Sequence, residues 1–472
     1  MAWSYRKFCV LLTIAGSAAF VSLLLNGHLF QSTASLPKIY QRLAHVTANT
    51  TTETRKAVTP LSTFQQRRQH FIDACIARRR LNNMNFTKSL RLFHVGDLAM
   101  CLVPKTGSTL WKQILFYLDT NQSGPFFEVH FGDIHGRMNA RRHQPVRILR
   151  EGVVTAVFVR EPYSRLFSAY VDKLFKPRED NWQVYGRPVV NYVRRTSAAV
   201  GKTCAGNVTF AEFVRYFIDS ETKPEAKLRR NEHYSPQSQH CGFCTSVERP
   251  QDNQRVKMLK SVDNKRQGVT GQMDNIDASS MGHFQDKLRK GFLVYDFIGK
   301  TESIVADTWA ILEASHLARR LPASFDMSGG AHKHTIARIV RKVVETTASS
   351  CMSKEEKLRR TWKNFQIRGM ISKRELFPLT PAEADDVTIG RMQELALSAF
   401  DRSTSDPELK GNKKEAMIEA YSTITLTDRQ ALRRIYAADF ELFQYPPSIP
   451  EVFPEGDKFH LGSYRFFNIF DK

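Results

Sequence analysis

The chain has 472 residues, enough for one large domain or two ordinary ones. Its 42% hydrophobic content suits a chain with a real core and sets it apart from a wholly disordered one. The formal charge of +22 implies an acidic partner: nucleic acid, an anionic membrane face or a polyanionic glycan.

The N-terminus selects among these. Residues 1–7 end in Arg6 and Lys7, and residues 8–25 are an uncharged run, FCVLLTIAGSAAFVSLLL. That length is near the minimum for a membrane helix and long for a signal-peptide core. Positive charge before the run and none close after it predict a signal anchor, with residues 1–7 cytoplasmic and the remainder translocated. The stretch AGSAAF keeps a cleaved signal as the alternative. Residues 26–62, rich in Ser, Thr and Ala, read as a flexible stem. Four Asn-x-Ser/Thr sequons, at Asn49, Asn85, Asn121 and Asn207, fit a secretory lumen as glycosylation sites. Six cysteines outside the apolar run (Cys75, Cys101, Cys204, Cys241, Cys244 and Cys351) permit disulfides there, with the pairing open. A lumenal address removes nucleic acid and leaves a glycan or an activated anionic donor as the acidic partner.

Residues 63–448 read as the globular body and 449–472 as a C-terminal tail. TFQQRRQHFIDACIARRRL has helical spacing, and LAMCLV (98–103) reads as a buried strand. The turn PKTGST leads into a helix with Leu110, Trp111, Ile114, Leu115 and Leu118 on one face. VVTAVFV (153–159) is a continuous β-branched and aromatic run, typical of a parallel strand covered on both sides. A helix follows, with Pro162 in its first turn. Two strand–turn–helix units predict an α/β fold with a central parallel sheet flanked by helices, and ligands at the carboxyl ends of the strands. Residues 245–290 read as an exposed insertion, and FLVYDFIGKTES as a strand leaving into a helix. Residues 323–425 read as mostly polar, with helical pieces and with FDMSGG and DRSTSDPELKGNKKE as loops. A terminal helix is expected in TLTDRQALRRIYAADFELFQYPP, with Thr427 and Gln430 as a capping box and Pro446-Pro447 as its stop.

Chemistry concentrates at two turns. In Pro104–Leu110, Gly107 lets backbone approach a ligand, and Ser108 and Thr109 add hydroxyls. Lys105 adds charge at a helix N-terminus with unpaired N–H groups. This suits a phosphate- or sulfate-sized anion. It is not a Walker A loop, in which Gly-Lys-Ser/Thr follows an earlier Gly, so a nucleotide kinase is disfavoured. Arg160 falls at the end of the second strand, where a guanidinium suits bidentate phosphate contact, and Ser168 lies two turns into the next helix. An ordinary capped helix and a salt-bridged Arg are the plainer readings of these turns. Cys241 and Cys244 form a C-x-x-C that would need two more ligands to hold zinc; His233 and His240 are near.

Taken together, VPKTGSTLW and VREPYSRLFSAYVDKL resemble the two donor-binding motifs of Golgi carbohydrate sulfotransferases (sulfotransferase family 2), the family of the chondroitin and dermatan 4-O-sulfotransferases. NEHYSPQSQHCGFC (231–244), YDFIGKTES (295–303) and IYAADFELFQY (435–445) match in order. The resemblance implies a P-loop-like sulfotransferase fold in the body and 3′-phosphoadenosine 5′-phosphosulfate (PAPS) as the sulfate donor. It places the 5′-phosphosulfate site at Pro104, Lys105, Thr106, Gly107, Ser108, Thr109 and Leu110. The 3′-phosphate site falls at Arg160, Glu161, Pro162, Tyr163, Ser164, Arg165, Leu166, Phe167 and Ser168, with Arg160 and Ser168 as direct contacts. Lys105 would neutralise charge on the leaving oxygen. The acceptor hydroxyl needs a base; His130 is favoured, then His135 and Glu128, while His233 is a candidate on the acceptor side. The family favours disulfides over metal at the C-x-x-C, and no metal is expected. It implies a single-pass type II protein of the Golgi membrane with a glycan acceptor carrying GalNAc or uronic acid, on a proteoglycan, glycoprotein or glycolipid. An inactive lumenal glycan-binding protein on the same fold is the alternative. The 245–290 insertion and the long 323–425 region depart from the family pattern, so no one member's acceptor transfers to this chain.

Overall fold

A computed structural model describes residues 58–78, 92–120, 134, 153–195, 204–244, 294–322, 325, 327, 329–345 and 351–470. The apolar run at 8–25, the insertion at 245–290, the sequons Asn49, Asn85 and Asn121, and the base candidates Glu128, His130 and His135 lie outside the described residues. No helix among the described residues is long and apolar enough to cross a membrane.

The compact unit that holds the elements below begins at Val58. The Thr59 hydroxyl donates to Asp307, a buried carboxylate that also takes Arg67 Nη1 at 2.7 Å and the Lys300 N–H at 2.7 Å. That acceptor ties helix α1 (Leu61–Ala77) to the sheet.

The four-stranded sheet runs β1 (Leu92–Val95), β2 (Leu98–Cys101), β3 (Val154–Val159) and β4 (Phe297–Lys300), in that spatial order. The β1–β2 pair is antiparallel and the other two are parallel. All six residues of β3 are buried, as the unbroken apolar run predicts for a central strand covered on both faces. Trp111, from α2 (Ser108–Thr120), packs on Phe158 with rings 5.6 Å apart. Helix α3 (Pro162–Tyr170) follows β3, with Pro162 at its first position and Glu161 as N-cap. Helices α4 (Phe210–Thr222) and α5 (Ile304–Ala314) complete this half.

The helical pieces expected in 323–425 are present, and the two loop readings there are corrected. Helices α6 (Gly329–Glu345), α7 (Lys354–Ile367) and α8 (Ile389–Ser403) bury a second apolar cluster built on Ile336, Val340, Leu358, Trp362, Phe365, Met392 and Ala396. Each helix is amphipathic, so a high average polarity conceals a continuous buried stripe. FDMSGG already enters α6 at Gly329, and DRSTSDPELKGNKKE is a loop only in its middle: it starts in α8 and ends in α9 (Asn412–Ser422).

The terminal helix is also corrected. Thr425, not Thr427, is the N-cap: its hydroxyl accepts the Asp428 N–H at 3.1 Å and donates to the Asp428 carboxylate. The helix then breaks at Tyr436 into α10 (Leu426–Ile435) and α11 (Ala437–Phe443), and the buried Tyr436 hydroxyl donates to Tyr234 O at 2.7 Å. Beyond residue 448 the chain packs on the body, burying Val452 and Phe466, with the Phe466 N–H bonded to Glu419.

Three disulfides join the described residues: Cys75–Cys244, Cys101–Cys241 and Cys204–Cys351. The C-x-x-C therefore staples α1 and the end of β2 to one turn, and neither cysteine offers a thiolate to a metal. Each bridge closes a loop of well over a hundred residues, and such links are typically worth about 2–4 kcal/mol.

Candidate active site

The turns after β2, β3 and β4 converge at the carboxyl end of the parallel strands. In the first turn, Lys105 and Gly107 both adopt left-handed backbone, with φ of 70° and 82°. A Cβ on Gly107 would lie 2.5 Å from Ile304 Cδ1, so glycine is needed both for conformation and for the approach of α5. The Trp111 N–H bonds Gly107 O at 3.1 Å. Helix geometry thus leaves the N–H groups of Gly107, Ser108, Thr109 and Leu110 without intrahelical acceptors. The Thr106 hydroxyl is spent on Val103 O at 2.9 Å and is buried, so that side chain shapes the turn instead of facing a ligand.

Arg160 is buried at the end of β3. Its guanidinium donates to Ser164 Oγ at 2.9 and 3.2 Å and to Lys105 O at 3.2 Å, so it is not the salt-bridged helix start of the plainer reading. Its backbone is clamped from across the fold. Gln237 accepts the Arg160 N–H at 2.8 Å and donates to Arg160 O at 2.7 Å. Asp439 in turn accepts the N–H groups of Gln237 and Ser238, both at 2.7 Å. Burial raises the Asp439 carboxyl above its usual range, against those hydrogen bonds. Arg165, fully buried, donates to three carbonyls, Pro104 O at 2.9 Å, Ser235 O at 2.6 Å and Glu232 O at 2.8 Å. The separate motifs of the sequence meet here: 231–244 and 435–445 hold the two turns in place.

The remaining residues of 160–168 divide by role. Glu161 accepts the N–H groups of Tyr163 and Ser164, and burial lifts its carboxyl to about 7. Tyr163 donates to Pro447 O and, with Leu166 and Phe167, packs in the core. Ser168 reaches an open cleft shared with Lys105, Asp172, Asn364, Arg368 and Lys413, over Phe167, Val171 and Ile367. Lys105 Nζ lies 3.0 Å from Asp172 Oδ2, and Lys173 Nζ lies 3.7 Å from the same oxygen. Burial opposes the Asp172 charge, but Lys105, Lys176 and Lys173 outweigh it and hold the carboxyl far below the usual range. Burial, with Lys173 and Arg160 adding to it, lowers the Lys105 ammonium despite Asp172. Lys413 is pushed below its ordinary value chiefly by repulsion from Arg160. Cations that destabilise one another around an open cleft form a site suited to a multiply charged anion.

Asp172, Asn364, Arg368, Lys413, Gln237 and Asp439 had no assigned role in the sequence. Asp172 stands inside the quoted VREPYSRLFSAYVDKL, where a carboxylate beside a lysine-bearing turn was the available signal. Lys413 was hidden in an apparent loop, and Arg368 follows the apolar stripe of α7. Among the proposed glycosylation sites, Asn207 is described; its side chain is exposed and accepts from Arg194 Nη1 at 3.1 Å.

Residues 90–274 match the model of the sulfotransferase family. That segment, less than half of the chain, is similar to the sulfotransferase family. Its relatives include carbohydrate sulfotransferase 11 of Rattus norvegicus, 28% identical over 38% of this chain and 54% of that protein. Carbohydrate sulfotransferase 14 of Homo sapiens is 35% identical over 30% of this chain and 37% of that protein, and human carbohydrate sulfotransferase 9 is 30% identical over 25% and 28%. The chain thus spans about half the length of the first of these relatives and less of the others. No solved structure matches. The sulfotransferase-family segment contains both turns, Asp172 and Gln237, but not Asn364, Arg368, Lys413 or Asp439.

Proposed function

We propose that this chain transfers a sulfuryl group from PAPS to a hydroxyl of a GalNAc- or uronic-acid-containing glycan on a proteoglycan, glycoprotein or glycolipid. We place it in the Golgi lumen as a single-pass type II membrane protein. The observation that carries the reading is the juxtaposition of a cationic helix-N-terminal loop, Pro104–Leu110, with Arg160 and Ser168 on the neighbouring strand and helix. Four N–H groups without intrahelical partners and an excess of facing cations fit a donor with two anionic ends.

The donor supplies a sulfuryl group already activated on a phosphate leaving group. Backbone N–H groups of Gly107–Leu110 hold the 5′ end, with the Ser108 and Thr109 hydroxyls beside them. Arg160, oriented by Ser164 and clamped by Gln237, holds the 3′-phosphate together with Ser168. Lys105 exchanges its bond to Asp172 for the leaving oxygen as charge grows there. Positioning and preorganised charge supply the acceleration. The full-length protein, purified in detergent, tests this: it is expected to bind 3′-phosphoadenosine 5′-phosphate and to move radiolabelled sulfate from PAPS to a glycan within a panel. Absence of both sinks the reading.

A further inference from the structure

His233 lies in the loop after α4, and its ring meets Tyr185 edge-on with centroids 5.6 Å apart. Lys173 Nζ sits 5.2 Å from the centre of the same tyrosine ring. Lys173 Nζ is also 3.7 Å from Asp172 Oδ2, the oxygen that takes Lys105 at 3.0 Å, so a chain of direct contacts links the imidazole through Tyr185 and Lys173 to the Lys105–Asp172 pair.

The tautomer follows from local bonding. The His233 backbone N–H donates to Asn231 Oδ1 at 3.0 Å. An amide N–H can only donate, so this atom of Asn231 has to be the carbonyl oxygen. His233 Nδ1 lies 2.8 Å from the same oxygen and therefore carries the ring proton. The lone pair is left on Nε2, which has no hydrogen-bond partner among the described residues. A half-buried, neutral imidazole with one nitrogen anchored and the other without a partner among the described residues is the arrangement of a general base.

We propose that His233 Nε2 takes the proton of the acceptor hydroxyl, an inference that rests on the sulfuryl-transfer reading above. The hydroxyl oxygen forms a bond to sulfur while the bond from sulfur to the bridging oxygen breaks. The electron pair stays on that oxygen, which leaves as the 5′-phosphate next to Lys105. The proton passes to Nε2, and the imidazolium later returns it to water. The surroundings tie this role to donor binding. Burial, then repulsion by Lys173 and Lys105, holds the imidazole down to about 3. Neutralising those two lysines with an anionic donor removes the repulsion and raises the ring's proton affinity. The base thus gains strength when a sulfuryl group is present to be attacked. Asp172 works in the same direction as the donor, and Arg165 against it.

The test compares full-length wild type, His233→Gln and Asn231→Asp. The probes are PAPS with desulfated chondroitin, desulfated dermatan and GalNAc-terminated N-glycans. His233→Gln is expected to lose roughly 10²–10⁴-fold in kcat while its affinity for 3′-phosphoadenosine 5′-phosphate stays within about twofold. Asn231→Asp still accepts from Nδ1 but adds negative charge, so it is expected to shift the acid limb of the kcat profile to higher pH. Wild-type kcat in His233→Gln, or an unmoved acid limb in Asn231→Asp, overturns the proposal. If His233→Gln does not fold, the Asn231→Asp profile decides alone. Wild type that neither binds the nucleotide nor transfers sulfate removes the sulfotransferase reading and this role with it, whereas active wild type with an equally active His233→Gln removes only the base.

Discussion

The cleft is built from two unlike halves. One is the sheet and its turns, Pro104–Leu110 and Arg160–Asp172, inside the segment that matches the sulfotransferase family. The other is helical, where α7 and α9 bring Asn364, Arg368 and Lys413 to the same opening from outside that segment. In the first half, groups are held by short-range backbone geometry and by buried clamps such as Gln237. In the second, two cations stand at helix ends facing solvent. The difference is one of support: the groups of the sheet half are fixed by buried partners, whereas the two cations of the helical half are lightly held.

The comparison breaks most plainly at Lys105. Lys105→Ala is expected to lower turnover roughly 10²–10³-fold with little change in melting temperature, as measured by sulfate transfer and thermal unfolding. Unchanged turnover would take the sheet half out of the chemistry. Asp439→Ala tests whether the clamp matters at a distance. It leaves the buried Gln237 N–H, at about 1–3 kcal/mol, and the half-buried Ser238 N–H without their acceptor, and it loosens Gln237 and hence Arg160. The expected result is a lower melting temperature and a raised donor KM; a lower melting temperature alone would make the network purely structural.

Gly107→Ala forces a side chain into left-handed backbone and against Ile304, on the order of 1–2 kcal/mol, read by denaturant unfolding. Lys413→Ala addresses the helical half. Because the lysine is solvent-facing and screened, only a roughly two- to fivefold rise in donor Kd is expected, larger at low salt. No change at low salt would reduce α9 to scaffold. Acid lability is a separate expected effect, confined to low pH. His233 stays neutral in the fold down to about 3, whereas the unfolded chain protonates it from about 6.5 downward. The unfolded state then binds more protons, so stability contributed by the neutral ring is present above about 6.5 and is lost as pH falls towards 3. His233→Gln should flatten that part of the melting-temperature profile.

Much of the sheet half was legible beforehand. A β-branched run with no polar break has few alternatives to a covered parallel strand, and β3 is one. A Lys-Thr-Gly turn before an amphipathic run reads directly as a helix N-terminus. The helical half was misread because its amphipathic stripes are diluted by charge. Its cap was misplaced by two residues because Thr425 and Thr427 offer the same side chain, and only the Asp428 N–H distinguishes them.

The sequence by itself determined the two strand–turn–helix units, the anion-suited loop and the pairing of Lys105 with Arg160 as residues of interest. The units and the loop depend on residues a few positions apart, and the family resemblance joined the two turns. Only the tertiary structure decided which carboxylate holds Lys105, which side chains clamp Arg160 and which cysteines join. It alone showed that a helix more than two hundred residues beyond the loop completes the cleft. The physical reason is burial. A charged or polar group can be held away from water only by partners on all its sides, and here those partners come from segments that meet in space and not in sequence.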